Sequence, residues 1–456
     1  MRKTVKRAAV LYILIALFMG GVIFLCAEFV LNGSEWASNK RNLHIYSNGT
    51  IVNAGTIYDI NGKPLAKSED GKRKFADSAS VRKAVLHIVG DTSGVISTGT
   101  HNLYRSTLSG YNFAQGISSL KKSGKGNDIT LNIDSEACRV AYRALGEYNG
   151  TVAVCNYKTG QLLCSVSKPA YDVNDVPRDL RTNPDYEGVF LDKAVSGLYT
   201  PGSIMKIITA ACAIENIPDI FTRTFECDGE YKTGDGVVIC NGEHGKITFE
   251  QAMNESCNCA FAEISIELGA GKLKATAESL GFNKQLYAKE VALTKSRFNP
   301  PSSDKTELGW AGIGQSTTYI NPTHFLAIMS AIANGGTGQS PDRIRYLGSF
   351  GKFTGRLPEV MVKMNPETAA KLRDMLRSNV VNKYGEGRFP GLEMCGKTGT
   401  AEIDGKKSNS VFAGFSLRSD LPLAVIVIAE NAGWGSGTAA STANEVMQYF
   451  SENYGR

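Results

Sequence analysis

Ser203 and Lys206 stand three residues apart in Thr200-Pro201-Gly202-Ser203-Ile204-Met205-Lys206, ahead of an apolar run from Ile207 to Ile214. The proline-glycine break predicts that Ser203 sits in the first turn of a buried helix. At this spacing the two side chains share one helix face, with the hydroxyl near the positive end of the helix dipole. A serine alcohol is a weak nucleophile until a base removes its proton, and a desolvated lysine amine can be that base. The chemistry on offer is acyl transfer through an ester on Ser203. The bare pattern is common, recurring at Ser80–Lys83, Ser119–Lys122, Ser165–Lys168 and Ser302–Lys305. Ser165–Lys168 runs straight into Pro169, and the others lack both the break and the apolar helix behind it. On local sequence a helix-cap role for Ser203 is the competing reading.

Two short motifs follow in order. Ser256-Cys257-Asn258 precedes an apolar helix, and Lys397-Thr398-Gly399-Thr400-Ala401 precedes strand-like sequence at Val411 to Phe415. Neither is decisive alone. Lys-Thr-Gly occurs again at Lys158, where it reads as a hairpin turn, and at Lys232, where it reads as loop; Ser451-Glu452-Asn453 repeats the serine-x-asparagine pattern. The ordered set on suitable elements is the rarer event. A separate constellation, Cys227, Cys240, His244 and Cys257, has separations of 13, 4 and 13 residues in a loop-rich insertion from Phe221 to Thr248. Three thiolates and one imidazole make a tetrahedral zinc set of the closed, structural kind, although the spacing is not that of a zinc finger. A Cys227–Cys240 disulfide outside the cytoplasm, or unpaired thiols, are the other readings. Cys259 and Cys395 are assigned to packing.

These residues need a scaffold, and 456 residues suffice for two or three domains with a sizeable core. A net charge of +6 over that length is mild and points to no nucleic-acid partner. Arg2, Lys3, Lys6 and Arg7 precede an uncharged run from Ala8 to Ala27, long enough to cross a bilayer with the basic flank in the cytoplasm. No small-x-small cleavage site follows, so an uncleaved anchor is expected rather than a signal peptide. The expected organisation is a basic cytoplasmic tail at 1–7, a membrane anchor at 8–29, a polar α+β module at 30–127 and a main domain at 128–456. Within the module, Asn53 to Gly62 reads as a strand entering a turn at Asn61-Gly62. His87 and His101 read as structural. In the main domain, Ser135 to Glu147 reads as a helix. Thr151 to Tyr157 and Gln161 to Ser167 read as a hairpin, with Cys155 nearly opposite Cys164 as packed free thiols. Pro322 to Ala333 reads as a buried helix, Leu421 to Glu430 as a central strand and Thr438 to Tyr449 as the last helix. The order argues for an α/β (α+β) fold, a sheet sandwiched between helical layers.

Ser203-x-x-Lys206, Ser256-x-Asn258 and Lys397-Thr398-Gly399 together resemble the signature of penicillin-binding proteins and serine β-lactamases. The likeness extends to Gly55 to Asp59, Ile129 to Asp134, Lys158-Thr159-Gly160, Gly312 to Gln315 and Ala333 to Gly336, which resemble class B penicillin-binding proteins from about residue 50 onward. The chain departs from that family at Ala54 and Ile60, where arginine is usual, and at Ser316, where glycine is usual.

The resemblance implies a membrane-anchored D,D-transpeptidase of peptidoglycan synthesis, its catalytic domain outside the cell membrane on a pedestal. It implies Ser203 as nucleophile, Lys206 as base, Ser256 as proton relay to the leaving amine, Asn258 holding the substrate amide or orienting Lys206, and Lys397, Thr398, Gly399 and Thr400 around the substrate carboxylate. The backbone N–H groups of Ser203 and Thr400 would form an oxyanion hole. Implied partners are stem peptides ending in D-Ala-D-Ala, β-lactams and a membrane-embedded glycosyltransferase. The cysteine and histidine set resembles that of a metal-bearing, cell-elongation subset, with zinc structural and no catalytic cofactor. The rivals are a D,D-carboxypeptidase or β-lactamase using the same serine, and a penicillin-binding sensor that does not cross-link.

Overall fold

The computed structural model describes residues 2–47, 50–112, 116–120, 124–348, 357–403, 405–435 and 437–454. Met1 of the expected tail lies outside them. Helix α1 (Arg2–Ala37) is long and apolar enough to cross a membrane, and its apolar window has no part buried in the protein. It runs past the expected end at residue 29. Beyond it, β1 (Ile57–Tyr58) turns antiparallel into β2 (Pro64–Glu69), which pairs with β3 (Lys72–Phe75). Asp59 makes the turn, its Oδ1 accepting the N–H groups of Asn61 and Lys63. On its other side β1 pairs in parallel with β4 (Ile129–Leu131).

After β4, Asp134 caps helix α2 (Ser135–Ala144) by accepting from the N–H groups of Glu136 and Ala137. Strands β5 (Gly150–Asn156) and β6 (Leu162–Lys168) form the expected hairpin. A register irregularity sets Cys155 opposite Leu162 and Cys164 opposite Val154, and both thiols are free and buried. Next come α3 (Lys206–Asn216), α4 (Phe249–Asn254), α5 (Asn258–Ser279) and α6 (Pro322–Ala333). Strand β7 (Ile344–Leu347) returns to pair with β4, so the first sheet runs β7-β4-β1-β2-β3. At both positions where arginine was missing, a guanidinium arrives from elsewhere. Arg73 donates to the carbonyls of Ala54 and Gly55, and Arg345 donates to that of Ile60.

Helix α7 (Pro366–Asn379) leads to β8 (Met394–Ile403), β9 (Lys406–Ser416), β10 (Leu423–Ala429) and α8 (Thr438–Asn453). The main sheet has the order β6-β5-β10-β9-β8 and is antiparallel throughout. Every residue of β5, β6 and β10 is buried, which explains why the run at 421–430 shows no alternation: helices cover both faces. Helix α6 packs on β5, β9 and β10, while α8 packs on β9 and β10 together with α2. The loop-rich 221–248 insertion holds two short antiparallel strand pairs, Thr224–Cys227 with Gly245–Thr248 and, between them, Glu230–Lys232 with Val237–Ile239. Strands this short, separated by Asp-Gly and Gly-Asp-Gly turns, show no usable period in sequence.

Ile426 is fully buried at the centre of β10. Ile426→Ala is expected to cost about 2–5 kcal/mol of stability, visible as a melting temperature several degrees below that of the parent. An unchanged melting temperature would contradict this placement.

Candidate active site

Ser203 lies in a 3-10 turn, Gly202–Met205, that leads directly into α3. This is tighter than the expected first α-helical turn, and the reason is contact. Gly202 has φ +57, and a Cβ there would sit 2.4 Å from the carbonyl oxygen of Thr400. The backbone around the nucleophile candidate is therefore pressed onto edge strand β8, which only glycine at 202 permits. On the other side Ser256 takes φ +56, a conformation rare for a serine, between α4 and α5. The three motifs thus meet from three elements.

Lys206 is fully buried, and its Nζ lies 3.0 Å from Ser203 Oγ, 2.6 Å from the Ser256 carbonyl, 3.2 Å from Ser256 Oγ and 2.8 Å from Asn258 Oδ1. Asn258 Nδ2 donates to the Ile239 carbonyl at 2.9 Å, which turns Oδ1 toward the lysine. The Ser256 carbonyl and Asn258 Oδ1 can only accept. A neutral amine has two N–H groups, and these two acceptors take both. The lone pair is left for the serine hydroxyls, of which Ser203 at 3.0 Å is nearer than Ser256 at 3.2 Å. Burial pushes the Lys206 amine well below its ordinary range, the Lys397 charge adds to this, and the nearby sulfurs of Cys240, Cys257 and Cys259 oppose it. Lys397 is itself pushed down to about 7, by burial first and then by Lys383, with Glu255 opposing. Its Nζ lies 3.0 Å from Ser256 Oγ, so Ser256 bridges the two amines.

Ser203, Ser256, Asn258, Lys397, Thr398 and Thr400 line one cleft of about 980 Å³, with Lys206 behind Ser203. Gly399 faces inward, where a Cβ would meet the Pro201 carbonyl at 2.5 Å. All the candidate catalytic and substrate residues are brought together. Nothing in the spacing of residues pointed to Tyr384, which ends a π-helical turn (Val380–Tyr384) after α7. Its hydroxyl accepts the Thr398 N–H at 2.9 Å and shares a hydrogen bond with Thr398 Oγ1 at 2.9 Å, satisfying a donor on the exposed edge of β8. Thr400 Oγ1 accepts the Gly435 N–H. Ser316 adopts φ +58, the left-handed region that favours glycine, and its hydroxyl donates to Glu307.

Beneath the Ser256 motif, Cys227, Cys240, His244 and Cys257 bring their ligand atoms within 4.8 Å of one another. His244 Nδ1 lies 3.3 Å from Cys227 Sγ and 3.6 Å from Cys240 Sγ, and Cys240 Sγ lies 3.9 Å from Cys257 Sγ. Four ligands at tetrahedral zinc distances of about 2.3 Å for sulfur stand roughly 3.5–3.8 Å apart. The sulfurs also accept backbone N–H groups, Cys240 from Asn258 and Cys257 from Ala260. Such donors favour thiolates. The set fits a tetrahedral cation, and no disulfide links these cysteines.

Residues 150–448 match the penicillin-binding protein transpeptidase domain. The chain is 26% identical over 410 residues to the peptidoglycan D,D-transpeptidase PbpA of Mycolicibacterium smegmatis, covering 80% of this chain and 81% of that protein. It is 29% identical over 354 residues to the stage V sporulation protein D of Bacillus subtilis, covering 71% of this chain and 53% of that protein. Among solved structures, the D,D-transpeptidase domain of a peptidoglycan glycosyltransferase from Eggerthella lenta is 28% identical with a TM-score of 0.75, covering 88% of this chain and 99% of that one. Penicillin-binding protein A of M. tuberculosis shares the fold with a TM-score of 0.76 at 22% identity, covering 87% of this chain and 97% of that one. With the three motifs in one cleft and the domain matched across most of the chain, the protein belongs to the penicillin-binding protein transpeptidase family.

Proposed function

We propose that this protein is a peptidoglycan D,D-transpeptidase working through an acyl-enzyme on Ser203. The observation that carries the reading is the Lys206 amine, buried beside Ser203 with both N–H groups committed elsewhere. Lys206 takes the Ser203 proton as Oγ attacks the penultimate D-Ala carbonyl of a stem peptide. Oxygen–carbon bond formation is followed by cleavage of the carbon–nitrogen bond. The terminal D-Ala leaves with a proton relayed from Lys206 by Ser256, which touches both lysines. Lys397 with Thr398, Gly399 and Thr400 holds the terminal carboxylate, Asn258 orients Lys206, and the N–H groups of Ser203 and Thr400 receive the oxyanion. An amine from a neighbouring strand then takes the acyl group, which forms the cross-link. A β-lactam acylates the same oxygen.

In this reading residues 1–7 lie in the cytoplasm, 8–29 cross the membrane, 30–127 form the pedestal and 128–456 form the extracytoplasmic catalytic domain. A membrane-embedded glycosyltransferase supplies the glycan strands. The residues Cys227, Cys240, His244 and Cys257 hold one structural zinc ion. Bound there, it would fix Cys257 and Cys240, and through them Ser256 and Asn258, from outside the reacting atoms. The spacing of the ligand atoms and the N–H donors on two sulfurs support this assignment.

Ser203→Ala is expected to reduce covalent labelling by a fluorescent penicillin to background; labelling at the parent's stoichiometry would refute the nucleophile. Lys206 must be neutral to act as base, so acylation declines as pH falls through its pKa. A charged Lys397 lowers that pKa, and replacing Lys397 with Met therefore moves the acidic limb of penicillin acylation to higher pH. An unmoved limb would separate the two amines. Metal analysis should find about one zinc per chain, lost in Cys240→Ser together with part of the acylation rate. A metal-free preparation with full acylation would exclude the zinc.

A further inference from the structure

A second groove, of about 720 Å³, opens beside the catalytic cleft, and His244, Asn254 and Glu255 line both. Its walls carry three carboxylates, Glu243, Glu250 and Glu255. Two of them are engaged: Glu250 accepts from Ser378 and Glu255 pairs with Lys383. Glu243 is exposed and has no ion-pair or hydrogen-bond partner among the described residues.

Asn254 is the second observation. It is only 8% exposed, and its Nδ2 donates to Ser378 Oγ at 3.1 Å. Ser378 gives its single proton to Glu250, so Asn254 must present its amide nitrogen there. The Asn254 Oδ1 is thereby left buried without a hydrogen-bond partner. An acceptor oxygen unpaired in a buried wall is costly unless a ligand supplies an N–H group.

The cleft itself repels cations. Lys383, Lys397, Lys406 and Lys407 line it, against two carboxylates among the described lining residues, Glu402 and Glu255, and Glu255 is already paired with Lys383. This suits the carboxylate of a donor peptide and is hostile to an ammonium. Transpeptidation needs both.

We propose that the Glu243–Asn254 groove is the entry subsite for the amine acceptor, a stem peptide whose side-chain ammonium is drawn by Glu243 and hydrogen-bonds Asn254 Oδ1. The assignment rests on the transpeptidase reading of Ser203. The ammonium releases one proton to solvent on leaving the groove. The amine nitrogen then bonds to the ester carbonyl carbon, the carbon–Oγ bond breaks, and the second proton passes through Lys206 to Ser203 Oγ. The products are an amide and the free serine.

The test uses the full chain in detergent with an acyl-D-alanyl thioester as donor. The acceptor is an α-N-acetylated stem tripeptide ending in lysine. Products of aminolysis and hydrolysis are counted by mass spectrometry at sub-saturating acceptor. Glu243→Gln and Asn254→Ala are each expected to lower the aminolysis-to-hydrolysis ratio about tenfold. The Glu243→Gln effect should fade at high salt, while penicillin acylation in that variant stays at the parent's rate. An unchanged ratio in both variants would overturn the subsite with the transpeptidase reading intact. A parent that forms no acyl-enzyme with either thioester or penicillin would instead bring down that reading, and this subsite with it.

Discussion

A lysine amine buried against two groups that can only accept hydrogen bonds is the constraint on which the site depends. Placing a charged ammonium there would demand full desolvation of the charge. The Lys206 position relieves that cost by favouring the neutral form, whose lone pair is left for the two serine hydroxyls, Ser203 the nearer of them. The geometry that stabilises the amine is also the geometry that makes it a base. Lys397 reinforces this from across Ser256, because two nearby ammonium groups oppose each other.

The scaffold exists to hold that arrangement from three sides. The antiparallel sheet fixes β8 as an edge, and Gly202 lets the Ser203 turn lie directly against it. Helix α3 then carries Lys206 inward. From the opposite side, the strained Ser256 and the capped start of α5 deliver a carbonyl and a carboxamide. Cys257 and Cys240 accept N–H groups from this same turn, so the cysteine and histidine cluster braces the acceptors that define Lys206. Tyr384 does comparable service for β8, tying the edge strand's Thr398 to the turn after α7.

Much of this was legible from the residues. Pro201-Gly202 ahead of an apolar run marked the start of α3, and the continuous apolar stretch at 421–430 marked a central strand. The order of the three motifs, taken with the family resemblance, was enough to group Ser203, Ser256 and Lys397. What escaped was long-range or too short to have a period. The strand pairs of the 221–248 insertion have strands of three or four residues, too brief to alternate convincingly. Tyr384 carries no motif, and its role follows only from where β8 leaves a donor unpaired. The arginines absent at 54 and 60 could not be traced either, because Arg73 and Arg345 reach those carbonyls through the fold. Ser316 shows the reverse: its left-handed backbone is the one that the expected glycine would have adopted.

The central claim is that one oxygen, Ser203 Oγ, becomes esterified because Lys206 takes its proton. Peptide mapping by tandem mass spectrometry after brief exposure to penicillin tests it most directly. A single adduct on the peptide containing Ser203-Ile204-Met205-Lys206, with the mass on the serine, is the result the structure predicts. An adduct on another residue, or none at pH values where Lys206 is neutral, would contradict it.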